Sequence, residues 1–243
     1  MNIAIILAGG YGSRFLNESN KFPKQFYEFC RKEVIAYSLE TFNKHPQIDK
    51  IVVVSNFEYI KKTEEIVKKY NFDKVIGVVS GGVTRQASVY SAIEFLSQDS
   101  SYGNPNVLIH DAARLLVSKQ VISANIKALE ESKAVSTILP CTDSMIMSEN
   151  GETITESLDR NKIYVVQTPQ SFKLDLLRSA HKFAQTLNIY DSTDDASLMK
   201  LLNEEVKLVP GNKANMKLTT EEDLIFIKAI LENLQYKEEY KGN

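Results

Sequence analysis

A glycine-rich segment, Leu7-Ala8-Gly9-Gly10-Tyr11-Gly12-Ser13-Arg14-Phe15, follows an apolar run at the start of the chain, and Pro23-Lys24-Gln25-Phe26 comes shortly after it. Glycine tolerates positive φ and lets backbone N–H groups approach an anion closely. Cations beside such a loop suit a triphosphate, because charge builds on its oxygens as phosphorus is attacked. Pro23 fixes the backbone next to Lys24 and can aim its side chain. The loop lacks the Gly-Lys-Ser/Thr ending of a Walker A motif. Phe15 stands where a dinucleotide fingerprint needs its third glycine, and Ser55-Asn56 stands where that fingerprint wants an acid. Alone, the glycines fit a tight turn equally well. Arg14 and Lys24 together favour a nucleotide-phosphate site.

Asp111 ends the apolar run Asn106–His110, so its carboxylate emerges at the carboxyl edge of a strand. A lone hard oxygen ligand there suits Mg²⁺, which keeps several waters and takes its other ligands from phosphates. A cap on the next helix is the competing reading. His110 is read as structural. Taken alone, Arg160 beside Asp159 reads as a surface ion pair, and Ser88 as an ordinary residue of a helix N-terminus.

Composition removes several classes. Lys plus Arg is 29 against Asp plus Glu of 31, a net charge of −2, which argues against a nucleic-acid-coating protein. An apolar share of 43% excludes disorder over most of the chain. Cys30 and Cys141 form no CxxC pair, and with His45, His110 and His181 they show no zinc spacing. Reduced thiols and the lack of a leader pattern lead us to expect a cytoplasmic protein. The run Ile3–Leu7 is far too short to span a bilayer, and no GxSxG elbow occurs.

The elements that must position these residues follow a rhythm. Apolar β-branched runs at 2–7, 50–55, 74–79, 106–110 and 134–139 read as buried strands, and 34–45, 57–70, 84–97 and 118–131 carry helical spacing between them. This alternation predicts an α/β fold with a doubly wound, mostly parallel sheet, whose ligands bind at the strands' carboxyl ends. After Leu139 the rhythm breaks. Pro140, Asn150-Gly151 and the alternating stretches Ser144–Ser148 and Thr153–Ser157 predict a β-hairpin arm within 140–170. It carries too little apolar surface to stand alone, and a partner subunit is one candidate to cover it. Helices near 173–187 and 194–202, a strand at 205–209 and a helix near 220–234 complete the reading. The charged tail from Lys237 is expected to fray. One domain, 1–243, with an arm at about 140–165 is the expectation.

The chain resembles the family of methylerythritol-phosphate cytidylyltransferase and its ribitol-phosphate and other polyol-phosphate relatives, a Rossmann-like group of nucleotidyltransferases. The resemblance is carried by AGGxGxRF with PKQF, Gly81–Val89, His110–Arg114, Asp159-Arg160, Gln167–Gln170, Thr193–Ala196 and Asn215–Thr220, in family order over nearly the whole chain. It implies transfer of CMP from CTP to an alcohol phosphate, with Mg²⁺ on Asp111. It places Arg14, Lys24, Arg160 and Lys217 in catalysis. CTP would meet Leu7, Ala8, Gly9, Gly10, Gly12, Arg14, Lys24, Gly81, Gly82, Arg85, Ser88 and Ala112. The acceptor phosphate would meet Arg114, Ser144, Arg160, Thr168 and Lys217. A homodimer is implied in which the swapped arm supplies Arg160, with no nucleic-acid or membrane partner. Val83, Leu115, Ser144 and Ile146 depart from the methylerythritol-phosphate pattern, and the Ala-Gly-Gly opening is nearer the polyol-phosphate branch. Altered acceptor choice is the expectation, with ribitol 5-phosphate, glycerol 3-phosphate or a similar polyol phosphate first, methylerythritol 4-phosphate as the alternative, and a catalytically silent nucleotide-binding subunit as the less favoured one.

Overall fold

The computed structural model describes residues 1–10 and 23–240, the side chains of 234–240 excepted. The chain opens with β1 (Asn2–Ala8), a small ladder of β2 (Glu28–Phe29) and β3 (Lys32–Glu33), and α1 (Val34–Asn43). It continues through β4 (Lys50–Ser55), α2 (Ile60–Lys69), β5 (Val75–Ser80), α3 (Arg85–Ser97), β6 (Asn106–Asp111) and α4 (Lys119–Ala128). Then come β7 (Ala134–Pro140), the arm strands β8 (Met145–Met147) and β9 (Glu156–Leu158), and β10 (Tyr164–Lys173). The chain closes with α5 (Leu174–Thr186), α6 (Asp195–Met199), β11 (Lys207–Pro210) and α7 (Glu222–Tyr240).

Seven strands form one sheet in the order β11-β7-β10-β6-β1-β4-β5. All neighbours are parallel except β10, which runs antiparallel to both β6 and β7. Alternate residues of each strand serve opposite faces, as a period of two requires. Ala4, Ile6, Ile51, Val53 and Leu108 pack with Leu39 and Phe42 of α1 and Ile122 and Ile126 of α4. Ile3, Ile5, Val52, Val54 and Ile109 pack with Val89 and Ile93 of α3 and Leu177 of α5. Phe42 is wholly buried, so its truncation to Ala would cost about 3–5 kcal/mol. The chain leaves β1 towards β4 on one side and later returns to β6 on the other. That reversal opens a crevice at the strands' carboxyl ends.

The expected arm is present, with Met145 opposite Leu158 and Met147 opposite Glu156. Its connection is longer than a two-residue turn. Gly151 has φ +74, and the Asn150 side chain accepts from the N–H groups of Glu152 and Thr153. The last helix runs to Tyr240, so the tail from Lys237 is helical through that residue. Sequence reading missed β10. Its Pro169 argues against a central strand, but the ladder with β7 shifts register between Gln167 and Gln170, and the irregularity accommodates the proline.

Candidate active site

A cavity of about 520 Å³ opens at the carboxyl ends of β1, β4, β5 and β6. Among the residues expected at CTP, Leu7, Ala8, Gly9, Gly10, Lys24, Gly81, Gly82, Arg85, Ser88 and Ala112 line it. Asp111 and Lys217 line it as well. Gly12 and Arg14 lie outside the described residues.

Asp111 is the last residue of β6, in register with Leu7. Oδ2 lies 2.8 Å from Lys217 Nζ and 3.9 Å from Arg114 Nε, while Oδ1 lies 3.7 Å from Arg85 Nε. Burial alone would raise its pKa, but the charges of Lys217, Arg85 and Arg114 outweigh that and hold the carboxyl well below the usual range. It does not cap the next helix, because Ser118 performs that task for α4. Arg114 is itself fixed, donating from Nη1 to the Asn215 carbonyl (2.9 Å) and from Nη2 to that of Val166 (3.3 Å).

A short chain of hydrogen bonds sets this strand end. The Asp111 N–H donates to Thr168 Oγ1 (3.1 Å), which lies 3.0 Å from His110 Nδ1. His110 Nε2 faces the Arg114 carbonyl at 3.1 Å. A proton on Nε2 therefore serves the carbonyl, and Nδ1 accepts from the threonine. Burial keeps this ring neutral, pushing its pKa down to about 4. His110 is structural, as expected. The Thr168 hydroxyl, which the resemblance gives to the acceptor, is engaged with these two groups and buried.

Lys24 follows Pro23 and donates from Nζ to the Leu218 carbonyl at 2.6 Å, which joins the first loop to the segment carrying Lys217. Its neighbour Gln25 is buried and donates from Nε2 to the carbonyls of Ala8 (2.7 Å) and Gly10 (2.9 Å). Gln25 thus anchors the start of the glycine-rich loop. Its place in Pro23–Phe26 carries no sequence signal of this role.

On the opposite wall, Gly81 donates to the Ser55 carbonyl (2.7 Å) and Gly82 to Ser88 Oγ (3.2 Å). A Cβ on Gly82 would run into Ala87, so the loop can lie on α3 only with glycine there. Thr84 caps α3 by accepting from the Ala87 N–H. Ser88 sits one turn inside that helix and also donates to the Thr84 carbonyl (2.9 Å). Val83 is fully exposed at the rim. Arg85 pairs with Asp195 at 2.6 Å, a contact with no signal in the spacing although Asp195 lies in a quoted motif.

Arg160 and Ser144 are exposed on the arm and do not line the cavity of this chain. Arg160 Nη1 lies 3.5 Å from the Thr142 carbonyl, whereas Asp159 pairs with Lys162 at 3.8 Å. The arm and its root expose Met145, Ile146, Met147, Tyr164, Val165 and Val166.

Among the described residues there is no group of three His, Cys, Asp or Glu side chains placed to hold a metal. Asp111 is the only carboxylate among the described lining residues. One ionised, hard oxygen fits Mg²⁺ when phosphate and water complete the shell, and would not form an all-protein metal cage.

A cavity at the switch point, walled by glycine loops and by cations around one carboxylate, suits a nucleotidyltransferase. Residues 2–233 match the family described as IspD: 2-C-methyl-D-erythritol 4-phosphate cytidylyltransferase. The chain belongs to that family and is a cytidylyltransferase. It is 33% identical over 240 residues to the ribitol-5-phosphate cytidylyltransferase of Streptococcus agalactiae serotype III, covering 99% of both chains. It is 41% identical over 227 residues to the 2-C-methyl-D-erythritol 4-phosphate cytidylyltransferase of Clostridium tetani, covering 93% of this chain and 88% of that one. The crystal structure of 4-diphosphocytidyl-2C-methyl-D-erythritol synthase from Anaerococcus prevotii superposes with a TM-score of 0.79 at 27% identity, covering 95% and 96% of the two chains. No described helix is long and apolar enough to cross a membrane.

Proposed function

We propose that this enzyme transfers CMP from CTP to a polyol phosphate such as ribitol 5-phosphate or glycerol 3-phosphate, releasing pyrophosphate. The observation that carries the phosphoryl-transfer geometry is Asp111, which lines the cavity, ringed by Lys217, Arg85 and Arg114. An acceptor phosphate oxygen attacks the α-phosphorus of CTP, the new P–O bond forms, and the bond to the bridging oxygen of pyrophosphate breaks. A phosphate monoester is largely dianionic near neutral pH, so no general base is required. Arg14 and Lys24 bear on the triphosphate, Gly81, Gly82 and Ser88 on the cytosine, and Arg114 and Lys217 on the acceptor phosphate. Asp111 would hold Mg²⁺, which supplies charge neutralisation to the phosphates when bound. Arg160 reaches the acceptor from the arm of a second copy. The exposed apolar side chains of the arm support that dimer.

The Ala-Gly-Gly opening, Leu115, Ser144 and Ile146 favour a polyol phosphate, as does the full-length match to the streptococcal enzyme. The higher identity to the clostridial enzyme favours methylerythritol 4-phosphate as the second reading. Pyrophosphate release with CTP, Mg²⁺ and each of the three acceptors separates them. The highest kcat/KM with ribitol or glycerol phosphate supports the first reading, and the highest with methylerythritol phosphate replaces it. Light scattering tests the dimer, and a monomer at working concentration removes the shared role of Arg160.

A further inference from the structure

Arg85 is held by a buried acid–histidine pair that the transfer reaction does not itself use. Asp195, 1% exposed, accepts from Arg85 Nη1 through Oδ2 at 2.6 Å and faces His181 Nε2 through Oδ1 at 2.9 Å. The main chain of Asp195 is pinned to β10, where its N–H donates to Gln170 Oε1 at 3.1 Å. The neighbouring acid cannot substitute. Asp194 Oδ1 accepts from the Ser197 N–H (2.9 Å) and its Oδ2 from Gln170 Nε2 (3.0 Å).

His181 lies on α5, wholly buried, with its ring against that of Tyr90. Its Nδ1 is buried and has no hydrogen-bond partner among the described residues. Its polar contact among the described residues is therefore Asp195 alone, and a carboxylate there fixes the proton on Nε2. A buried carboxylate oxygen without a donor is expensive, so His181 satisfies Oδ1 and leaves Oδ2 to Arg85. Arg85 stands between two acids, in full contact with Asp195 and 3.7 Å from Asp111. Without the Asp195 anchor its planar fork would be free to close on Asp111 and leave the cavity wall.

We propose that His181 is a positioning residue for nucleotide binding, which orients Asp195 so that Arg85 is held in the cavity wall and off Asp111. The inference rests on the CTP reading of this cavity. It gives a role to the Thr193–Ala196 motif and to a histidine distant in sequence from every other site residue.

Calorimetric CTP affinity and steady-state kinetics of His181→Leu and His181→Gln, in the parent and in an Arg85→Gln background, test it. Leu removes the donor, while Gln can return an amide N–H to the place of Nε2. His181→Leu should weaken CTP binding and raise its KM about tenfold, as loss of a hydrogen bond to a charged group predicts, with kcat changed by less than about threefold. His181→Gln should recover most of the affinity, and His181→Leu should have under about twofold effect once Arg85 is Gln. An unchanged CTP affinity, or an equal loss in both backgrounds, overturns the proposal. A fall in kcat alone, with a lower melting temperature, marks a merely structural histidine and also overturns it. If His181→Leu does not fold, His181→Asn, whose amide stops short of Asp195, enters the same comparison. A parent protein that binds CTP yet releases no pyrophosphate with any acceptor refutes the proposed function, while the affinities still judge His181.

Discussion

Lys217 and Asp111, 106 positions apart, meet as a 2.8 Å ion pair at the carboxyl end of β6. The cation proposed for the acceptor phosphate and the carboxylate proposed for Mg²⁺ are thus direct neighbours. Lys217 is 41% exposed along its side chain, and Arg85 and Arg114 remain beside Asp111 without it. Lys217→Met should lower pyrophosphate release by ~10²–10³ at little change in melting temperature. A loss under about tenfold would remove Lys217 from the transfer machinery.

Lys24 is tied by its 2.6 Å bond to Leu218, so its ammonium is placed rather than left to solvent. Lys24→Ala, with folding checked by circular dichroism, should lower turnover ~10²–10³ as expected for one preorganised donor. A change under about tenfold in a pyrophosphate assay means that the charge is not used on the triphosphate.

Thr168→Val would leave the Asp111 N–H and His110 Nδ1 without their shared partner. Stranding buried polar groups costs about 1–3 kcal/mol, so urea unfolding should show that destabilisation. A rise in acceptor KM at unchanged stability would return the hydroxyl to the acceptor.

His45 links stability to pH. Its Nδ1 accepts from the Gln47 N–H (3.2 Å) and its Nε2 faces Ser123 Oγ (3.0 Å), a pattern that wants the neutral ring. Burial, helped by the charges of Lys74 and Lys119, holds its pKa below the ordinary 6.5. The unfolded chain then takes up the proton first as pH falls. The contribution is fully present above 6.5 and is lost as pH drops through the folded value. Unfolding free energies at about pH 7.5 and about pH 5.5 should differ less for His45→Gln than for the parent. Equal differences would show that His45 does not titrate on unfolding. His110, buried in the same sense, supplies part of the remaining slope.

Periodicity in the sequence determined the parallel strands of the sheet and its flanking helices, because buried parallel strands must read as apolar runs and covering helices as amphipathic ones, and turn signals with alternation marked the arm. The motifs likewise singled out Lys24, the Gly81-Gly82 loop and Asp111, which line one cavity, Gly81 directly after β5 and Asp111 at the end of β6. Only the tertiary structure decided that Pro169 lies inside a central strand, because the irregularity that admits it depends on how β10 pairs with β7. Only it joined Arg85 to Asp195 and His181, and Gln25 to the carbonyls of Ala8 and Gly10. Those partners meet through the packing of α3, α5 and α6 on one face and through the turn Lys24–Phe26 lying at the end of β1. Local sequence carries propensity and period, whereas the pairing of distant polar groups is set by which elements the buried core brings side by side.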